Sequence, residues 1–250
     1  MHDSLLRPLK TAETVARDIV DEIVNRGLRT GDRLPNEAAM IKQYGVSRES
    51  FREGLRLLEV QGLVVTRRGN RGGNFVGAAD SANLGRISTL YYHFAGGTYL
   101  DLFEAQAVAE GVLAERAASN PDRTAVRLAI DEVTAAERAL QDPLALGADR
   151  AEYVHRHVDF HLTIAKLADN PVLGIMMQTL TQIVGHHIAV VADPRDVKEE
   201  IERSHTEIAA AIVEGRAGDA RTLMEQHTRA VASFYIARIG DQVHDLIEWR

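Results

Sequence analysis

The sequence has no cysteine and no long apolar run, and each absence excludes a class of protein. Without cysteine, the 250 residues form no disulfide, no thiolate metal site and no cysteine nucleophile. No apolar run reaches the about 18 residues that a membrane-spanning helix needs. The first residues, MHDSLLRPLK, lack the apolar region of a secretion signal. We therefore expect a cytoplasmic protein with no membrane segment.

The net charge of −7 is distributed unevenly along the chain. Residues 1–77 contain 13 Lys and Arg against 10 Asp and Glu, whereas residues 78–250 contain 16 against 26. The length suffices for two domains, and a basic domain beside an acidic one is the charge distribution expected of a nucleic-acid binder.

The most informative stretch runs from Gly31 to Val76 and predicts a helix, a tight turn, a second helix and a β-hairpin. Gly45 suits the positive φ of the turn, and Ser47 is placed to cap the second helix. Apolar residues recur at helical spacing in that helix: Phe51, Leu55 and Leu58. They would face a core and leave the opposite face of the helix exposed.

That opposite face is basic, and so is the tip of the hairpin. Arg48, Arg52 and Arg56 follow the i, i+4, i+8 spacing, and Arg67, Arg68 and Arg71 cluster after the short β-branched strand. A stripe of arginines is by itself usually a solvated surface. Stripe, turn and basic wing in one stretch instead predict a winged helix-turn-helix, whose second helix enters the DNA major groove.

This stretch resembles the N-terminal domain of GntR-type bacterial transcription regulators. The resemblance is carried by GDRLPNE at 31–37, GVSR at 45–48, REGLR at 52–56 and LE at 58–59. It implies double-stranded operator DNA as a partner and the following contact residues: Arg33, Ser47, Arg48, Ser50, Arg52, Arg68, Gly69, Asn70 and Arg71. Ala38 and Ala39 stand where the family often has an arginine that reaches DNA, so we expect no base contact from the first helix of the motif.

The rest of the chain predicts helices and no strands. An amphipathic helix over 11–26 precedes the motif, 77–85 predicts a linker, and a short apolar segment covers 87–94. From Thr98 onward, helical periodicity between turn signals predicts six helices: 98–119, 121–140, 149–169, 171–191, 195–214 and 217–239. Residues 241–250 predict a short helical tail. Long helices joined by short turns pack as an antiparallel bundle, so the fold is mainly α.

Four histidines in the predicted bundle have the spacing of a metal site. His157 and His161 share one helix face, and His205 and His227 lie on consecutive helices with the Gly215–Gly218 turn midway between them. Four converging imidazoles suit a divalent ion such as Zn²⁺ or Ni²⁺. Each histidine taken alone is more often an ordinary polar or core residue.

This region resembles the FCD ligand-binding domain of the FadR subfamily of GntR regulators. The resemblance is carried by LFEAQ at 102–106 with Glu110, by HVDFH at 157–161 with Asn170, and by HTEI at 205–208 with the residues around His227. It implies a divalent metal held by His157, His161, His205 and His227, and a small carboxylate effector held beside it. The effector candidates are Gln106, Asn170 and His186, although His186 could equally be a surface residue.

Two positions depart from the FCD pattern. His157 replaces the family's aspartate ligand, which leaves the site one negative charge poorer and either favours borderline metals over harder ones or weakens metal binding. Gln106 replaces an arginine that often pairs with the effector carboxylate, and an amide offers no charged fork.

These patterns together predict a ligand-responsive repressor and not an enzyme. The protein would be a homodimer that reads a pseudo-palindromic operator, with a DNA-binding domain at 1–77, a linker and connecting helix at 78–97, and a helical effector-binding, metal-binding and dimerisation domain at 98–250. The alternative is a metal-dependent all-helical hydrolase. That alternative has no HExxH motif or evident general base, and it does not explain the basic winged helix.

Overall fold

The computed structural model describes residues 11–69, 72–78, 81–139, 150–187 and 193–249. It is mainly α-helical, with one two-stranded antiparallel sheet in this part of the chain, so the predicted fold class is confirmed. The chain forms two compact units that divide between Leu84 and Gly85. Within the described ranges, no helix is both long and apolar enough to cross a membrane.

The first unit is a winged helix-turn-helix. Its elements are α1 (Thr11–Asn25), α2 (Glu37–Tyr44), α3 (Arg48–Val60), β1 (Val64–Arg67) and β2 (Gly73–Val76). The turn between α2 and α3 has the expected geometry, because Gly45 takes a φ of 66° and Ser47 caps α3. The sheet pairs Val64 with Val76 at one end and Arg67 with Gly73 at the other.

The apolar faces of these elements meet in one core. Val15, Ile19, Met40 and Phe51 are fully buried, and they bring α1, α2 and α3 together. The basic face of α3 is thereby left on the surface, as the spacing of its arginines predicted.

The second unit consists of helices. They are α4 (Ser81–Phe94), α5 (Tyr99–Ala118), α6 (Arg123–Ala139), α7 (Arg150–Leu167), α8 (Pro171–His187), α9 (Lys198–Glu214) and α10 (Ala217–Ile239), with 3₁₀ turns at Pro194–Val197 and Gly240–His244. A capping box of Thr98 and Asp101 starts α5. The guanidinium of Arg123 donates to carbonyls at the ends of both α5 and α9, among them those of Ala118 and Ile212. The main core is formed by side chains of α5, α6, α7, α8, α9 and α10.

The segment after α10 returns to the beginning of α5. Thr98 forms an isolated β-bridge with Leu246, and the Ile247 amide donates to the Gly97 carbonyl at 3.0 Å. Nδ1 of His93 lies 2.9 Å from the Ile247 carbonyl oxygen. Ile247 is buried with Leu102 and helix α8, so this segment is part of the packed unit.

Two predicted boundaries differ from the structure. The linker predicted at 77–85 is shorter, because α4 already begins at Ser81. Gly85 is buried in that helix and lies against α8, since a β-carbon there would be in van der Waals contact with Cγ1 of Ile183, at 3.6 Å. The tail predicted as helical forms only the 3₁₀ turn at Gly240–His244 before it becomes extended.

Candidate DNA interface and candidate metal centre

The N-terminus of α3 presents hydroxyl and guanidinium groups at the surface. Oγ of Ser47 accepts a hydrogen bond from the Ser50 amide at 3.1 Å, and the two hydroxyls lie 3.0 Å apart. Arg48 and Arg52 are both exposed, and Nε of each faces Oε1 of Glu37 on α2, at 3.6 Å and 3.1 Å. Glu37 thus holds two arginines of the exposed face side by side, in a contact weak enough for a phosphate to replace.

The wing brings further basic groups to the same unit. Arg33 donates from Nη2 to the Gly72 carbonyl at 2.7 Å and forms a β-bridge with Phe75, so it also fastens the hairpin. Arg68 and Gly69 are exposed, and Gly69 takes a φ of 105°. The predicted contacts of Asn70 and Arg71 lie outside the described residues.

The four predicted metal ligands come together between three helices. His157 and His161 are on α7, His205 is on α9 and His227 is on α10. One ring nitrogen of each lies within 4.8 Å of those of the other three. His161, His205 and His227 are buried, and His157 is partly buried.

Hydrogen bonds on two of these rings fix which nitrogen carries the proton. Nδ1 of His205 lies 2.7 Å from Oε1 of Glu137, a carboxylate oxygen that accepts. Nδ1 of His227 lies 2.7 Å from Oγ of Ser204, whose own hydrogen is directed to backbone carbonyls of α9, the nearest that of Ile201 at 2.8 Å. In the tautomers in which Nδ1 donates to the ionised Glu137 and to Ser204, both Nε2 atoms keep a lone pair.

The remaining two rings leave further nitrogen atoms unsatisfied. Glu110 forms an ion pair with Nδ1 of His161. In the described part of the chain, Nε2 of His161 and Nδ1 of His157 are buried and have no hydrogen-bond partner. Such orphaned buried acceptors are rare in proteins unless an ion or a water satisfies them.

These residues fit a divalent metal ion. Nε2 of His205 and Nε2 of His227 are 3.2 Å apart, and two lone pairs at that distance repel each other unless a cation lies near both. Two imidazole nitrogens bound to one tetrahedral zinc ion at about 2.1 Å are about 3.4 Å apart, close to this separation. Protein groups on the Nδ1 atoms are typical of histidines that ligate metals.

The protonation states expected in this buried site favour metal binding at three of the rings. Burial lowers the pKa of His157 to about 3 and the pKa values of His205 and His227 well below the usual range. These imidazoles are neutral, which is the ligating form. Burial would also lower the pKa of His161, but the neighbouring Glu110 carboxylate raises it. Burial raises the pKa of Glu137 to about 7.

A cavity of about 110 Å³ adjoins the four histidines. His157, His161 and His227 line it together with Gln106 and Tyr235. Its described wall contains no Lys or Arg, and the side-chain nitrogen of Gln106 donates to the buried Glu110 at 2.8 Å. The cavity therefore offers no Lys or Arg side chain to an anionic ligand, and His161 in its wall is already paired with Glu110.

The second effector candidate, Asn170, does not line this cavity. Oδ1 of Asn170 accepts from the Leu173 amide and caps α8, and Asn170 is not among the residues that line the cavity. His186 lies in α8, but its side chain is outside the described part of the structure.

Sequence reasoning missed three residues that contact the histidines: Glu110, Glu137 and Ser204. Spacing along one helix predicts pairs such as His157 and His161, but it does not show which side chains of α5 and α6 face them. Glu110 alone gave a signal, as a charged residue among the apolar positions of α5.

The chain was compared with known families and proteins. The model described as "Bacterial regulatory proteins, gntR family" matches residues 11–75, and the FCD domain model matches residues 101–230. The Glc operon transcriptional activator of Escherichia coli K12 is 28% identical over 240 residues, which cover 90% of this chain and 88% of that protein. The HTH-type transcriptional repressor NanR of Edwardsiella tarda is 28% identical over 242 residues, which cover 92% of this chain and 88% of that protein.

Among solved structures, Streptococcus agalactiae GntR superposes with a TM-score of 0.69 at 22% identity. The match covers 89% of this chain and 99% of that one. At this identity the likeness shows the fold.

Proposed function

The chain belongs to the GntR family of bacterial regulatory proteins and carries an FCD domain, so it is a DNA-binding transcription regulator, and we propose that it represses its target genes until a small organic acid binds beside a metal ion in the helical unit. The families and the relatives are transcription regulators and not enzymes, which removes the hydrolase alternative. A regulator of bacterial promoters works beside the chromosome, so we assign it to the cytoplasm.

The observation that carries the proposal is that one chain combines two different binding surfaces. The first unit exposes the hydroxyl and guanidinium groups of α3, and the second unit encloses four histidines beside a cavity. We therefore assign residues 1–77 to DNA binding, 78–97 to a connection, and 98–250 to effector binding, metal binding and dimerisation.

The DNA contacts are tested with an operator selected from a random pool of DNA duplexes. Arg48→Ala should weaken binding to the selected operator at least tenfold, because a good side-chain contact to a base edge contributes about 1–3 kcal/mol. Arg26→Ala is the matched control, since Arg26 is exposed on the same unit, directly after α1, and pairs with Glu22 of that helix. Fluorescence anisotropy at fixed salt measures both variants, and equal affinities would remove Arg48 from the interface.

The proposed binding of a carboxylate effector depends on the proposed metal ion. A carboxylate in the cavity would meet Gln106 and the buried Glu110 but no Lys or Arg of the described wall, and His161 is already paired with Glu110. A bound divalent cation would supply the missing positive charge, with His157, His161, His205 and His227 as its ligands. Carboxylate binding should therefore require the metal.

Isothermal titration with acetate, as the simplest carboxylate, tests this dependence. Binding by protein loaded with Zn²⁺ or Ni²⁺, and its loss after dialysis against a chelator, is the expected result. Equal binding in both preparations would show that the cavity holds the carboxylate without the ion.

The direction of regulation is tested separately. Relatives are named both as an activator and as a repressor, so ancestry leaves the direction open. Our proposal is repression that the effector relieves. In a reporter strain, deletion of the gene should raise expression from a promoter that contains the selected operator, and a fall in expression would indicate activation.

A homodimer is proposed from the symmetry of operators that such regulators read. Apolar side chains on α4 support it, because Leu90, Tyr91 and Phe94 are exposed and Phe94 is 91% accessible in the single chain. Exposed apolar groups that share one helix are typical of an association surface. Light scattering of the purified protein should give twice the chain mass of 27.5 kDa.

A further inference from the structure

We propose that Glu110 and Glu137 are positioning residues that balance the charge of the metal ion, each through the imidazole that it contacts. This inference rests on the proposed metal function. It assigns to two carboxylates outside the ligand set the electrostatic role that an aspartate ligand would have had at position 157.

The argument begins with the charge of the ligand set. An imidazole must be neutral to ligate a metal, so four ligating imidazoles contribute no charge, and a divalent cation held by them keeps both of its positive charges in a largely buried site. Burying a charge is costly unless an opposite charge lies nearby. A four-histidine site of this kind therefore needs carboxylates within one side chain of the ligands.

Glu110 meets this requirement from α5. It is 3% exposed and forms an ion pair with Nδ1 of His161. Gln106 donates to its Oε1 at 2.8 Å, and the Thr228 hydroxyl lies 3.3 Å from its Oε2. Held in this way, the carboxylate fixes the orientation of the His161 ring and leaves Nε2 as the ligating atom.

Glu137, on α6, is the second carboxylate close to a ligating histidine. Its side chain is 14% exposed, and its Oε1 lies 2.7 Å from Nδ1 of His205. The bond orients the His205 ring so that Nε2 lies 3.2 Å from Nε2 of His227. The two carboxylates thus reach the site from two helices that carry none of the four histidines.

Asp159, an acidic residue between the two ligands of α7, does not take this role. Its Oδ2 pairs with His155, whose side chain is 69% exposed. His227 is supported by a hydroxyl, that of Ser204, which orients the ring but carries no charge. The balancing charge therefore falls on Glu110 and Glu137.

The experiment measures metal affinity in matched variants of the full chain. Metal-free protein is titrated with Co²⁺ and with Zn²⁺ for the wild type, Glu137→Gln, Glu137→Ala and Glu110→Gln. Loss of such a supporting group typically weakens metal affinity about 10–100-fold, and we expect that range for the two glutamine variants. Glu137→Ala should bind still more weakly, because the amide oxygen of glutamine can accept from Nδ1 and alanine cannot.

The control variants are Glu104→Gln and Glu132→Gln, which remove one negative charge from an exposed position on α5 and on α6. They should bind both metals within about twofold of the wild type, because exposed charges are screened by solvent. The Co²⁺ absorption bands supply a second readout, since a displaced His205 should change them in Glu137→Ala. Circular dichroism of each metal-free variant shows whether it folds.

The outcomes separate this inference from the metal proposal beneath it. If the wild type binds the metals and the Glu137 and Glu110 variants bind them as tightly as the controls do, the inference is wrong and the metal site stands. A lowered melting temperature with unchanged metal affinity would likewise overturn it, because that result indicates only a structural role. If the wild type binds neither metal, both proposals fail. If Glu110→Gln does not fold, the comparison between the two Glu137 variants decides.

Discussion

Removal of the metal should lower the melting temperature of the protein by a predictable amount. The four histidines belong to α7, α9 and α10, so an ion bound to all of them joins three helices of one unit. An ion that binds only the folded state stabilises it by about 2.7 kcal/mol when its free concentration is 100 times the dissociation constant. In domains of 150–250 residues, each kcal/mol moves the melting temperature by about 2–4 °C. We therefore expect a decrease of about 5–11 °C.

The comparison must be made within each variant. The double variant His205→Ala with His227→Ala removes two buried rings, which has its own effect on packing. It also removes the close contact between the two Nε2 atoms, which contributes to the stability of the metal-free wild type in its own right. The informative quantity is thus the difference in melting temperature with and without metal, and this difference should vanish in the double variant.

Differential scanning calorimetry with Zn²⁺ or Ni²⁺, and with a chelator, measures this difference, while elemental analysis gives the metal content. His155→Ala is the matched control, because His155 is exposed on α7 and pairs with Asp159 outside the cluster. It should keep the full metal-dependent difference. A wild type that melts at one temperature in both conditions, or a double variant that retains its metal, would refute the assignment of the ligands.

Three further substitutions test other parts of the structure. Gly54→Ala should lower the free energy of unfolding, measured in urea, by about 1 kcal/mol. The added β-carbon would lie 2.8 Å from the Ala12 carbonyl oxygen and from Val15, and this overpacking outweighs the better helix propensity of alanine. A stabilised variant would contradict this prediction. Gln106→Arg adds a positive charge to the cavity wall, so the chelator-treated variant should bind acetate in a calorimetric titration. Absence of binding would show that only the metal supplies the positive charge that acetate needs. Asn170→Ala should lower the free energy of unfolding by about 1 kcal/mol, because the α8 cap is lost, and should leave metal-dependent acetate binding intact. Loss of acetate binding would show that Asn170 is part of the effector site.

The parts of this fold that follow from local sequence were predictable, and those set by packing were not. The helix-turn-helix depends on short-range chemistry, the φ of Gly45 and the cap of Ser47, and both are found as expected. The start of α4 at Ser81 was missed because small polar residues there resemble a linker. Their helix is favoured by contact with α8 at Gly85, which no local pattern reveals.

The candidate metal centre shows the same division. Helical periodicity sufficed to place His157 and His161 together, and the turn at Gly215 sufficed to bring His205 level with His227. The partners of these rings were not predictable, because Glu110 and Glu137 lie on other helices and their register against α7 and α9 is set by the whole core.

The bridge between Thr98 and Leu246 has a consequence for the connectivity of the helical unit. Because residues at the start of α5 and in the segment after α10 lie side by side, a short linker could join them without moving any helix. The chain could then be opened at the exposed turn near Pro121, between α5 and α6, to give a circular permutant with the same core. In that permutant α4 would no longer lead into α5 along the chain, so the binding of metal by the helical unit could be studied apart from its covalent connection to the DNA-binding unit.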